Sequence, residues 1–171
     1  MGEAVPASRP TTRVAYQGAD EVVQVVVFLL NKEKFAINLF DVKEIVEYTK
    51  ITPVPGSDRY IKGIIDLRGE ITTIIDLKEK MRITSGSTQH NQSRIIVIDN
   101  SVTKSKTGIL VDDVTTVLST TQSQIDYDTC GGSHSSHILG IIRQKQGDQD
   151  SEKADLIIWI DFVGMLQDMD L

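Results

Sequence analysis

From Val22 onward the chain alternates short aliphatic runs with polar turns. The runs Val22–Leu30, Lys34–Asn38, Glu44–Thr49, Gly63–Leu67, Ile71–Leu77, Arg94–Asp99, Thr107–Val111, Thr116–Ser119, Ile138–Arg143 and Leu156–Ile160 are rich in valine and isoleucine and predict strands. Several are continuously apolar, so both of their faces are expected to be covered, as in a barrel or double barrel. Helix is the minority. Asp76–Met81 predicts a turn or two, and Phe162, Met165, Leu166 and Met169 recur at helical spacing behind Asp161, a candidate N-cap. The polar stretches Ser85–Ser93 and Gln144–Lys153 read as exposed loops, and residues 1–20, with Pro6, Pro10 and Gly18, as a flexible tail.

The strands also repeat. Ala36-Ile37-Asn38-Leu39-Phe40-Asp41-Val42-Lys43-Glu44-Ile45-Val46 aligns without a gap on Gly108-Ile109-Leu110-Val111-Asp112-Asp113-Val114-Thr115-Thr116-Val117-Leu118. Ile61-Lys62-Gly63-Ile64-Ile65 echoes Ile138-Leu139-Gly140-Ile141-Ile142, Ile74-Ile75-Asp76 echoes Trp159-Ile160-Asp161, and Val25-Val26-Val27 echoes Ile95-Ile96-Val97. Matches in one order predict two similar halves of about five strands each, forming two small β-barrels related by a pseudo-two-fold. The period is too long for a solenoid repeat.

Charge and composition narrow the function. The net charge is −6, so no basic excess is available for nucleic acid. The single cysteine, Cys130, cannot form an internal disulfide, which fits a reducing compartment. Residues 1–20 lack a signal-peptide core, and Pro6 spoils the myristoylation pattern that Met1-Gly2 begins. The apolar run Val25–Leu30 is far short of a membrane span. Asn91-Gln92-Ser93 spells a glycosylation site that means nothing in a reducing cytoplasm. A soluble protein is expected.

Catalytic chemistry is hard to assemble. His90, His134 and His137 lie in polar or glycine- and serine-rich stretches, which hold a catalytic geometry poorly. Cys130, His134 and His137 are an incomplete zinc set, so neither metal nor cofactor is expected. Asp113 falls in the repeated turn opposite Asp41, and turn geometry explains it.

One stretch carries a resemblance. Tyr60-Ile61-Lys62-Gly63-Ile64-Ile65-Asp66-Leu67-Arg68-Gly69-Glu70-Ile71, followed by Ile74-Ile75-Asp76-Leu77, resembles the central signature of CheW-like domains. Asp66 stands where the family usually has Asn, and Thr73 where proline is common. Further similarity lies in Lys34-Phe35-Ala36-Ile37, Val42-Lys43-Glu44-Ile45, Ile51-Thr52-Pro53-Val54-Pro55 and Gly108–Val114, and the whole covers roughly residues 22–166.

The resemblance implies a mainly β fold of two intertwined five-stranded, SH3-like barrels. It implies a domain over 21–171, with subdomains roughly 21–84 and 85–154 and the segment 155–171 returning to the first. The implied function is a non-enzymatic cytoplasmic chemotaxis adaptor, monomeric alone and not inserted in the membrane. Its implied partners are the regulatory domain of a CheA-like histidine kinase and the helical cytoplasmic tip of methyl-accepting chemoreceptors, in arrays. Receptor recognition would be helix-in-groove, and Val42, Glu44, Gly63, Arg68, Val114 and Val117 are the residues carried over to that groove. The valines read equally as core, and Gly63 as a backbone requirement. Arg68, read as lying between apolar strands, is either an internal clamp between barrels or a receptor contact. A fused receiver domain of the CheV kind would find no room before Leu171. A small-molecule-binding β-barrel is the alternative from another class.

Overall fold

The computed structural model describes residues 21–84, 92–128, 137–145 and 154–169. The readings of the tail 1–20, of His90, Cys130 and His134, and of the loop stretches 85–91 and 146–153 lie outside the described residues.

The strands are β1 (Val22–Leu30), β2 (Glu33–Asn38), β3 (Val42–Glu47), β4 (Ile61–Leu67), β5 (Glu70–Asp76), β6 (Arg94–Ile98), β7 (Thr107–Val111), β8 (Asp113–Thr121), β9 (Ile125–Asp126), β10 (Ile138–Lys145) and β11 (Ala154–Ile160). Two short helices, α1 (Leu77–Met81) and α2 (Phe162–Gln167), complete the described elements with 3-10 turns at Leu39–Asp41 and Gln122–Gln124. The fold is mainly β, as expected.

Each sheet takes strands from both halves of the chain. One runs β8-β1-β2-β11-β10-β9, the other β3-β6-β7-β5-β4. The hairpin β1–β2 therefore sits among strands of the second half, and β6–β7 among strands of the first. The joins are reciprocal. β2 meets β11 in parallel with Ala36 opposite Trp159, and β7 meets β5 in parallel with Gly108 opposite Ile74. These are the residues that the internal echo pairs. Bulges repeat as well, at Ile61/Gly63 and at Ile138/Gly140. Both helices follow the echoed Ile-Asp and are capped by its aspartate: the Asp76 carboxylate accepts from Lys78 and Glu79 N–H, and the Asp161 carboxylate from Gly164 N–H.

The hydrogen-bonded ladders are not closed rings. The chain bridges the gap instead. Leaving β8, it turns through Gln122–Gln124 and pairs β9 with β10 at the opposite edge. Leaving β3, it reaches Thr52, which exchanges backbone hydrogen bonds with Ile64 of β4 at 2.9 and 2.8 Å.

Three cores follow from the pleat. Val25 and Val27 face the interior of the six-stranded sheet with Ala36, Ile142, Ile157 and Trp159. Ile95 and Val97 face the interior of the five-stranded sheet with Ile51, Ile65, Ile74 and Leu110. The intervening residues Val26, Phe28, Ile96 and Ile98 point the other way, into a central core shared by both sheets and by Phe162, Met165 and Leu166 of α2. The continuous apolar runs of β1, β6 and β7 are thus explained, since these strands are covered on both faces.

Candidate partner-binding groove

Two-residue hairpins need backbone at positive φ. Arg68 (φ +53°) and Gly69 (φ +82°) form such a turn between β4 and β5, with Leu67 opposite Glu70. The Asp66 carboxylate secures it by accepting from Gly69 N–H at 2.7 Å. The left-handed region costs a non-glycine residue about 1 kcal/mol or more, so the placement of Arg68 is paid for elsewhere. Its guanidinium donates from both terminal nitrogens to both oxygens of Glu44, at 3.1 and 2.5 Å. Glu44 is aimed there by a bulge in β3. Val42 pairs with Ile98, Glu44 with the adjacent Val97, and Lys43 is the extra residue. The bulge turns Val42 toward the central core and Glu44 toward the mouth of the five-stranded sheet.

This corrects the expectation for Arg68. It does not lie between apolar strands, for its side chain is 71% exposed at a hairpin tip. Nor does its clamp join two barrels. β3 and the β4–β5 hairpin stand at opposite edges of one sheet, and the ion pair ties those edges together.

The other expected residues separate by role. Val42 and Val114 are half-buried and pack against the same central core from equivalent strands. Val117 is 50% exposed on β8 and is not core. Gly63 is buried, and a Cβ there would lie 2.2 Å from the Thr52 carbonyl oxygen, so its requirement is close backbone approach. Asp113 accepts from Val114 N–H at 2.8 Å, a local contact at the start of β8.

Sequence reasoning missed a buried lock. Lys78 of α1, with its side chain 8% exposed, places its ammonium 2.6 Å from Asp112. The second Asp112 oxygen accepts from Asn31 N–H at 2.7 Å in the β1–β2 turn. One carboxylate thus ties the helix after β5, the β1–β2 turn and the start of β8. The signal available was the doublet Asp112-Asp113, where the echoed segment has Phe40-Asp41.

Among the described residues, no group of three His, Cys, Asp or Glu side chains is placed to hold a metal, and no helix is long and apolar enough to cross a membrane.

The chain matches the CheW-like domain over residues 24–170. It belongs to the CheW-like domain family. Similar proteins include the chemotaxis protein CheW of Treponema pallidum, 32% identical over 136 residues that cover 77% of this chain and 79% of the relative. The chemotaxis protein CheW of Bacillus subtilis is 33% identical over 103 residues, 60% of this chain and 64% of that one. Among solved structures, the scaffolding protein TtCheW from Thermoanaerobacter tengcongensis aligns with a TM-score of 0.67 at 31% identity, over 82% of this chain and 89% of that chain.

Proposed function

We propose that this CheW-like chain is a non-catalytic chemotaxis adaptor, coupling methyl-accepting chemoreceptors to a histidine kinase through the kinase's regulatory domain. The observation that carries the reading is the family match over residues 24–170, reinforced by the likeness to a protein described as a scaffold. It works in the cytoplasm at receptor arrays, as a monomer until it meets its partners. The receptor groove is flanked by the equivalent strands β3 and β8. Val42 and Val114 line its floor, Val117 offers an apolar contact, and the Glu44–Arg68 pair forms one wall. Gly63 acts indirectly, by letting the chain after β3 close on β4.

The small-molecule alternative is disfavoured by the filled sheet interiors. Trp159 is 1% exposed inside one, and Ile74 is fully buried inside the other.

Arg68→Ala decides the role of the wall. Hot-spot truncations cost about 2 kcal/mol, roughly thirtyfold in affinity. Titration calorimetry is expected to show a receptor-tip fragment binding about thirtyfold more weakly, with the kinase regulatory domain affected only a few-fold. Unchanged receptor affinity in a well-folded Arg68→Ala protein removes Arg68 from the site.

A further inference from the structure

A depression opens at the mouth of the five-stranded sheet, beside the Glu44–Arg68 pair, with Leu67 and Val97 in its lining. Its two carboxylates are already engaged, Glu44 by Arg68 and Glu70 by Lys106. The donors there are not all engaged. Lys43, Asn100 and Thr72 also line the depression, and none makes a side-chain hydrogen bond to another described residue. Three cations against two carboxylates leave the lining with one net positive charge.

Thr72 is the informative residue. It is 1% exposed on the interior face of β5 and contributes to the lining of the depression. The equivalent position in the six-stranded sheet is Ile157, fully buried and apolar. Isoleucine therefore suits this place in the fold, and threonine puts a hydroxyl-bearing side chain in the lining of the depression. The bulge that delivers Glu44 also brings Lys43 to the rim. Its counterpart Thr115 instead donates to the Val27 carbonyl at 3.1 Å.

We propose that the mouth of the five-stranded sheet is a carboxylate-binding site, with Lys43, Thr72 and Asn100 as donors and the exposed edge of Arg68 alongside. A singly charged carboxylate fits better than a phosphate dianion, because Glu44 and Glu70 stand next to it and a single net positive charge must hold it. The carboxylate comes either from solution or from an acidic side chain of a docked partner helix. Only the second source rests on the adaptor reading above.

The test titrates the isotopically labelled full chain with acetate and follows the Asn100 side-chain amide and the Lys43 and Thr72 backbone amides by NMR. Saturable shifts are expected, with affinity about tenfold weaker in Thr72→Val and in Lys43→Gln, the equivalent of one lost charge-assisted hydrogen bond. The melting temperature of Thr72→Val is expected to hold or rise, which loss of a merely structural hydroxyl bond would not produce. Absent or non-saturating shifts, or equal shifts in both variants, overturn the site. A parallel titration with a receptor-tip fragment separates the sources. Competition by acetate, with about tenfold weakening by Lys43→Gln, identifies a partner's acidic side chain. Receptor binding indifferent to acetate, beside saturable acetate shifts, identifies a free carboxylate. A fragment that fails to bind the wild-type chain overturns the adaptor reading and leaves the acetate titration to decide the site.

Discussion

The two sheets solve one packing problem with different residues. Where β11 meets β2, Trp159 stands opposite Ala36; where β5 meets β7, Ile74 stands opposite Gly108. The large ring needs a methyl-sized neighbour, whereas a Cβ at Gly108 would meet the Ile74 side chain at 3.0 Å and that of Ile95 at 2.8 Å. Ion pairs repeat across the same joins, with Lys34 on Asp155 in one and Lys106 on Glu70 in the other. The frame is duplicated, then, while side-chain volume is redistributed within it. The mouths differ more. The Glu44–Arg68 pair spans one, and the corresponding strand positions of the other carry Thr116 and Lys145. Function is expected where the copies diverge, because the shared features are those the fold requires.

That comparison can be broken first at the interiors. Trp159→Ala is expected to cost about 3–5 kcal/mol, and Ile74→Ala less, nearer the low end of about 2–5. Urea unfolding of both variants checks this, and a larger loss from Ile74 would mean that the five-stranded interior is the tighter one.

The locks come next. Lys78→Met leaves the part-buried Asp112 without its cation and is expected to cost up to about 3 kcal/mol. Lys34→Met, at a pair about one-third exposed on each side, is expected to cost under about 1 kcal/mol. Thermal melts at low and high salt distinguish them, since only the exposed pair should respond appreciably to salt.

The equivalent glycines sharpen the account further. Gly63 has φ +148° and the Thr52 carbonyl oxygen 2.2 Å from a would-be Cβ. Gly140 has Ile125 Cγ2 at 2.9 Å and the Asp126 oxygen at 3.0 Å, without the positive φ. Gly63→Ala is expected to destabilise by about 3 kcal/mol and Gly140→Ala by about 1–2, read from chemical denaturation. Equal costs would mean that the two chain crossings are equally tight. The smallest effect is expected at Arg68, where truncation to alanine should lower stability by about 1 kcal/mol or less, because the guanidinium is largely solvated.

Much of this architecture was legible because period and echo are local signals. β1 lies where its apolar run placed it, and the aligned segments lie in equivalent strands. β3 begins two residues earlier than expected, because the bulge at Lys43 lets Val42 join the ladder out of phase. β8 extends well beyond Thr116–Ser119, for an edge strand pairs through its backbone and its threonines and serine hide the pattern. β9 has two residues and carries no periodic signal. β5 ends one residue early, because Asp76 caps α1 and makes Leu77 helical. The Leu-Arg-Gly signature falls on the β4–β5 hairpin, but the exposure of Arg68 was invisible because turn and strand arginines look alike in sequence. Lys78 and Asp112 are 34 positions apart and meet only through the exchange of hairpins between sheets. Thr72 read as an ordinary strand residue, and what sets it apart is its interior position in β5, where the other sheet carries Ile157.

The proposed adaptor function requires one chain to hold a receptor and a kinase at the same time. Sedimentation velocity of the full chain mixed with a receptor-tip fragment and a kinase regulatory domain tests it most directly. The account predicts a three-component species heavier than either binary complex, and it would be contradicted by partners that displace one another or that leave the chain sedimenting alone.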